Sequence, residues 1–182
     1  KIKKNSTVLI YGKSGSGKST ICDLISGHLK PTKGNIFIDK NIFYLHSIKN
    51  LQEYIGYVGQ EPLILNEDFY RNISLQEDYK KNKIEDIGKI ARLDEFINNK
   101  KNKYNEIISE NGKNLSGGQK QRISIARALY LNPEILIIDE GTSNIDLLTE
   151  KEIYELINKN FDSKTKIIIT HHLNEFIKYD YC

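Results

Sequence analysis

Short runs of branched apolar residues alternate along this chain with stretches in which apolar positions recur every three or four residues. The runs predict strands and the recurrences predict helices. Lys1–Ser6 reads as the end of a strand and a turn, and Thr7–Ile10 as a strand. Ile21, Leu24 and Ile25 then mark a helix to about Ser26, with Gly27 as its stop. Pro31–Gly34 is a turn, and Asn35–Asp39 alternates as a strand does. A short helix at Ser47–Gln52 leads to a strand at Tyr54–Val58 that finishes by Gln60. From Glu61 to about Asn114 the pattern turns helical and more polar, with helices expected at Glu67–Ile73 and Lys83–Ile90 and a third capped by Asp94. Gly117–Tyr130 is a helix with Ile125, Ala126 and Leu129 on one stripe, stopped by Asn132-Pro133. Ile135–Ile138 is uniformly apolar, as a buried parallel strand is, and Lys166–Thr170 is another buried strand. Asp146–Asn160 lies between them as a helix, and Leu173–Tyr179 is a last short one. Strand alternating with helix predicts an α/β fold with a mostly parallel sheet.

Composition changes this picture little. A chain of 182 residues makes one domain with a sizeable core. Its 38% hydrophobic and 28% charged content excludes disordered and fibrous classes. The apolar runs are far too short to cross a bilayer, and no secretory signal precedes Thr7. Cys22 and Cys182 offer neither a disulfide framework nor zinc spacing, so a reducing, cytoplasmic setting fits. The net charge of +3 is mild, and the lysines at 80–83 and 100–103 are mixed with asparagine near acidic residues. They read as solvated surface, and no nucleic-acid partner is expected.

Candidate chemistry sits at the strand ends. Gly12-Lys13-Ser14-Gly15-Ser16-Gly17-Lys18-Ser19-Thr20 fits the P-loop pattern between a strand and a helix. Glycines let the backbone wrap closely and turn successive N–H groups inward, and the helix start adds its positive dipole end. Lys18 would reach the β- and γ-phosphates, and the Ser19 hydroxyl would hold Mg²⁺. The run Ile135–Ile138 delivers Asp139 and Glu140 to a strand end. Asp139 is placed for Mg²⁺, directly or through water, because that ion takes hard oxygen ligands. Glu140, facing the other way, is a candidate general base for an attacking water. Leu115-Ser116-Gly117-Gly118-Gln119 opens a helix with free N–H groups and a hydroxyl, a second anion cradle. One nucleotide is already wrapped by Gly12, Ser14, Gly15, Ser16, Gly17, Lys18, Ser19 and Thr20, so a second cradle suggests a second molecule's nucleotide.

These motifs, in this order and spacing, resemble the nucleotide-binding domain of ATP-binding cassette (ABC) transporters over nearly the whole chain. The resemblance implies a P-loop NTPase core at 1–60 and 120–182, with an inserted helical subdomain at 61–119 that carries the signature motif. It implies Walker A at Gly12–Thr20, Walker B at Ile135–Asp139 and Glu140 as catalytic carboxylate. Gln60 resembles the Q-loop glutamine, which contacts Mg²⁺ and the attacking water. Leu115–Gln119 matches the signature, Asp146 is the acid of the D-loop at Ser143–Asp146, and His171 resembles the switch histidine. His172 is adjacent, and His171 is the favoured assignment.

The family pattern further implies ATP and Mg²⁺ as cofactors and a second such domain as partner in a head-to-tail dimer. A transmembrane domain, fused or separate, is the other partner, at the cytoplasmic face of a membrane. Ser109-Glu110-Asn111-Gly112 and Phe69-Tyr70-Arg71-Asn72-Ile73 are similar to exporter segments. With the weak basicity they favour transport over the alternative, a soluble ATPase of the superfamily acting on nucleic acid. The family's adenine-stacking aromatic would precede residue 1 and further strands would follow Cys182, so the chain is expected to be a fragment of a longer polypeptide.

Overall fold

The computed structural model describes residues 1–13, 15–39, 41–42, 54–171 and 175–182. Its centre is a sheet of four parallel strands, β1 (Thr7–Tyr11), β4 (Ile55–Val58), β5 (Ile135–Asp139) and β6 (Thr165–Thr170), in the order β1-β6-β5-β4. β5 and β6 are each reached through a long helix, as parallel crossovers require. Side chains leave a strand alternately to its two faces. One face carries Ile55, Ile137, Ile167 and Ile169 and packs with Cys22 and Ile25 of α1 (Lys18–Ser26). The opposite face carries Leu9, Val58, Leu136, Ile138 and Ile168. That second core runs without a break into α5 (Gly117–Tyr130) and α6 (Leu147–Asn160), through Ile123, Ile125, Leu129, Ile153 and Ile157.

Beyond α5 the same apolar cluster continues into α2 (Phe69–Ser74), α3 (Lys81–Ile90) and α4 (Asp94–Asn98) through Ile73, Ile84, Leu93 and Ile97. α5 packs against α2, α3 and β4 together, which is why it is buried around most of its circumference beyond Lys120. It is continuous through residues 119 and 120. Among the described residues no helix is long and apolar enough to cross a membrane.

Most predicted elements appear within a residue or two, and the departures have local causes. Lys1–Lys3 is not a strand, although the turn at Lys4–Asn5 forms. Only Phe37–Ile38 of the expected Asn35–Asp39 strand is extended; it is β2 and pairs antiparallel with β3 (Asn41–Ile42) across Asp39, which is left-handed at φ 47. The predicted helix at 47–52 lies outside the described residues. Asp94 does not cap its helix: Leu93 occupies that position and Asp94 is the first helical residue. Asp68 is instead a working cap, its carboxylate accepting from the Arg71 N–H at 2.8 Å.

The expected last helix is also absent from its described part. Glu175 and Phe176 form a turn and Ile177–Tyr179 has no regular structure, with 173–174 outside the described residues. The chain there serves the sheet edge instead. The Asp180 N–H donates to the Thr7 carbonyl at 2.8 Å, and the Leu9 N–H to the Tyr181 carbonyl at 2.9 Å.

β4 lies close enough to α5 that a methyl group at Gly56 would stand 2.8 Å from the Ala128 carbonyl oxygen and 2.8 Å from Pro133 Cγ. The first of these neighbours is backbone and cannot move aside. Gly56→Ala is expected to cost about 1–3 kcal/mol by overpacking, lowering the melting temperature by about 3–10 °C in a thermal melt.

Candidate active site at the strand ends

All four strands expose their carboxyl ends on one rim, and the charged residues gather there. β1 ends at Tyr11, after which Gly15 and Gly17 adopt φ 79 and φ 90, and Gly17 is the left-handed N-cap of α1. A side chain at either glycine would be strained, although neither would meet a neighbour within 4 Å. Ser16, Ser19 and Thr20 are exposed on this turn, while Ser14 lies outside the described residues. Lys18 is buried, and its Nζ donates back to the carbonyls of Gly12 at 2.9 Å and Lys13 at 3.1 Å. The loop is thus tied shut by the lysine that its own helix start presents.

β5 brings in the carboxylates. Asp139 is 7% exposed, and the Tyr57 hydroxyl donates to its Oδ2 at 3.2 Å. Burial raises the Asp139 carboxyl above its usual range; the Tyr57 bond and the Lys18 charge pull it back, while the Glu140 charge adds to the rise. A buried carboxylate so strained toward protonation suits a site that receives a cation. Glu140 departs from the strand with φ 50, a left-handed conformation that costs a side-chain-bearing residue about 1–2 kcal/mol. Its N–H still donates to the Ile169 carbonyl at 3.0 Å, so the turn begins from a fixed point. Glu140 Oε1 lies 3.3 Å from His171 Nδ1 and 3.9 Å from Lys18 Nζ. Glu140 thus faces the phosphate loop and the end of β6.

The second cradle is built separately. Ser116 caps α5: its Oγ accepts from the Gln119 N–H at 3.2 Å, and Gln119 Oε1 accepts from the Ser116 N–H at 3.0 Å. This reciprocal capping box occupies the Gln119 side chain. Gly117 and Gly118, the first helical residues, have no intrahelical acceptor for their N–H groups. Both glycines pack on Asn144; a methyl at Gly118 would meet the Asn144 carbonyl oxygen at 2.9 Å. Asp146, expected from the family pattern to be the D-loop acid, caps α6 by accepting from the Thr149 N–H at 3.0 Å, a bond that holds its carboxyl below the usual range.

Gln60 is exposed, with its carbonyl 3.4 Å from Gln121 Nε2. Gln121 was not singled out by sequence, yet it is fully buried and joins three motifs. Its Nε2 also reaches Ser143 Oγ at 3.4 Å, and its Oε1 accepts from the Asn144 N–H at 2.8 Å. A glutamine two residues beyond a signature carries no sequence cue to this role; only the fold supplies its partners. Asn72 is equally hidden, clasping the segment after Gln60 through Leu65 N–H at 2.9 Å and the carbonyls of Leu65 and Glu67 at 3.1 and 3.0 Å. Cys22 is buried beneath the site, and burial raises its thiol to about 12, which leaves it inert at neutral pH.

A glycine turn into a helix on a parallel sheet, with lysine and carboxylates at the strand ends, defines a P-loop nucleoside triphosphatase. Over residues 1–143 the chain matches the family described as ABC transporter. It is 37% identical over 180 residues to ABC transporter B family member 13 of Arabidopsis thaliana, covering 98% of this chain and 14% of that protein. It is 37% identical over 181 residues to the ATP-dependent lipid A-core flippase of Vibrio parahaemolyticus, covering 98% of this chain and 31% of that protein. Among solved structures it superposes on a bacterial Atm1-family ABC exporter with ATP bound, with TM-score 0.93 and 33% identity, over 98% of this chain and 32% of that chain. The chain belongs to the ABC transporter family and is an ATP-binding, ATP-hydrolysing domain of it. It spans about a third or less of the length of each of these relatives.

The raised Asp139 carboxyl carries a definite sign. Its contribution to folding is fully present while the group is protonated and is lost as pH rises through its folded-state value. Asp139→Asn is expected to raise the melting temperature of the nucleotide-free protein at pH 7–8. The same variant should flatten the fall in stability as pH is raised out of the acid range, followed by thermal melts across pH.

Proposed function

We propose that this domain is the motor of an exporter. Two such domains pair head to tail on ATP, each phosphate loop closing against Ser116, Gly117 and Gly118 of the other. Their closing and opening drives a transmembrane partner, fused or separate, from the cytoplasmic face of a membrane. The observation that supports this reading best is the convergence on Glu140 Oε1, 3.3 Å from His171 Nδ1 and 3.9 Å from Lys18 Nζ. A carboxylate held between a histidine and the phosphate-loop lysine has the placement a base needs to take a proton from water beside a terminal phosphate.

In this reading Gly12, Ser14, Gly15, Ser16, Gly17, Lys18, Ser19 and Thr20 hold the triphosphate. Lys18 leaves the Gly12 and Lys13 carbonyls for the phosphate oxygens, exchanging neutral acceptors for charged ones. Ser19, Gln60 and Asp139 would hold Mg²⁺, whose role when bound is to neutralise phosphate charge and fix its geometry. The exposed Ser19 hydroxyl and the strained Asp139 carboxyl fit a hard cation, and among the described residues no larger cluster of His, Cys, Asp and Glu side chains competes for it. Gln60 and His171 align the attacking water with Glu140. The unbonded N–H groups of Gly117 and Gly118 offer the partner's nucleotide a helix N-terminus, with Gln119 and Asp146 holding that surface in shape. The core at 1–60 and 120–182 carries catalysis, and the helical part at 61–119 presents the signature. The exporters and flippase among its relatives support transport as the work done.

Two variants test the proposal. Glu140→Gln is expected to reduce phosphate release by about 10²–10⁴-fold while trapping an ATP-bound dimer in light scattering. Unchanged turnover would remove Glu140 as the base, and a monomer at saturating ATP would remove the paired motor. Lys18→Ala is expected to weaken ATP binding by about 100-fold or more in calorimetry, the loss of a charge-assisted contact and of the loop's own tie.

A further inference from the structure

We infer that the Tyr57 hydroxyl is a positioning group for the Asp139 carboxylate, setting the orientation in which it receives a divalent cation. The inference rests on the reading of Asp139 as part of the metal site. β4 and β5 are paired so that Tyr57 stands opposite Ile137, which puts Asp139 two residues on and on the same face. An aromatic side chain spans that diagonal. The Tyr57 hydroxyl reaches Asp139 Oδ2 at 3.2 Å and is the one hydrogen-bond donor to that carboxylate among the described residues. The distance is long for a phenol on a carboxylate, so the contact aims the group more than it clamps it.

The ring that carries the hydroxyl is itself fixed. His28 meets it edge-on, with centroids 5.7 Å apart and planes at 89°, and the His28 ring is held by Ser26 Oγ at 2.9 Å from Nδ1. Gly59 leaves the space the ring needs, since a methyl there would lie 3.1 Å from Tyr57 Cε1. Donation to Oδ2 leaves Oδ1 without a protein donor among the described residues. One oxygen is thereby assigned to the protein and the other kept for the cation or its water.

Mn²⁺ binding to the ATP-loaded protein, followed by electron paramagnetic resonance, tests this without turnover. Tyr57→Phe keeps the ring and removes only the hydroxyl. It is expected to raise the half-saturating Mn²⁺ concentration by about 10-fold, with ATP binding in chelator unchanged. The double variant Tyr57→Phe/Asp139→Asn should bind Mn²⁺ no more weakly than Asp139→Asn alone. Wild-type Mn²⁺ affinity in Tyr57→Phe, with Asp139→Asn weakened, overturns the inference and leaves the metal site standing. Wild-type affinity in Asp139→Asn overturns the metal role of Asp139 and this inference with it.

Discussion

A sheet whose strands are buried on both faces has room for charge only where the strands stop. Ile135–Ile138 and Ile167–Ile169 carry no polar group until Asp139 and Thr170, and β1 is buried or half-buried until Tyr11. Burying an unpaired charge inside such a sheet would cost several kcal/mol, so the buried Lys166 near the start of β6 donates to the Phe161 carbonyl at 3.1 Å, and the charged residues of the site lie on the rim where the strands end. Parallel pairing makes that rim the same for all four strands. Lys18, Asp139, Glu140 and His171 therefore meet although they are far apart in sequence, and the packing of isoleucine is what brings them there.

The rim is also where the molecule holds its unfavourable terms. Asp139 is pushed toward protonation by burial, Glu140 has a left-handed backbone, and Lys18 spends its ammonium on carbonyls of its own loop. Each is relieved by a ligand of opposite charge or by the geometry that a ligand imposes. Strain concentrated at residues that face one another is a pattern expected of a site, and not of a structural ion pair.

The sheet, the helices and the motif positions were legible because each rests on local chemistry. Strands are uniform apolar runs, α5 is periodic, and Gly17 and Gly27 mark the ends of α1. Contacts set by register or by distant elements were not legible. Asp94 looks like a cap, but Leu93 already holds the position, and Asp68 does the capping on the neighbouring helix. The segment after His171 has helical spacing, yet Asp180 and Tyr181 find donors and acceptors along β1 that a helix would forgo. The left-handed turn at Glu140, with φ 50, and its approach to His171 and Lys18 depend on elements distant in sequence. Gln121 and Tyr57 are ordinary residues in a sequence and become informative only when their partners arrive from elsewhere.

The loop from Glu140 to Asp146 is tethered at every step. It starts on Ile169, turns through Ser143 onto Glu140, is gripped at Asn144 by Gln121, touches Gly118 and ends as the cap of α6. At about 3.3–3.6 Å of reach per residue when fully drawn out, so short and folded a segment has almost no slack. A displacement of Glu140 by an ångström has nowhere to dissipate: it is delivered to the first turn of α5 or of α6. The carboxylate beside Lys18 and the first turn of the signature helix are, mechanically, two ends of one stiff lever.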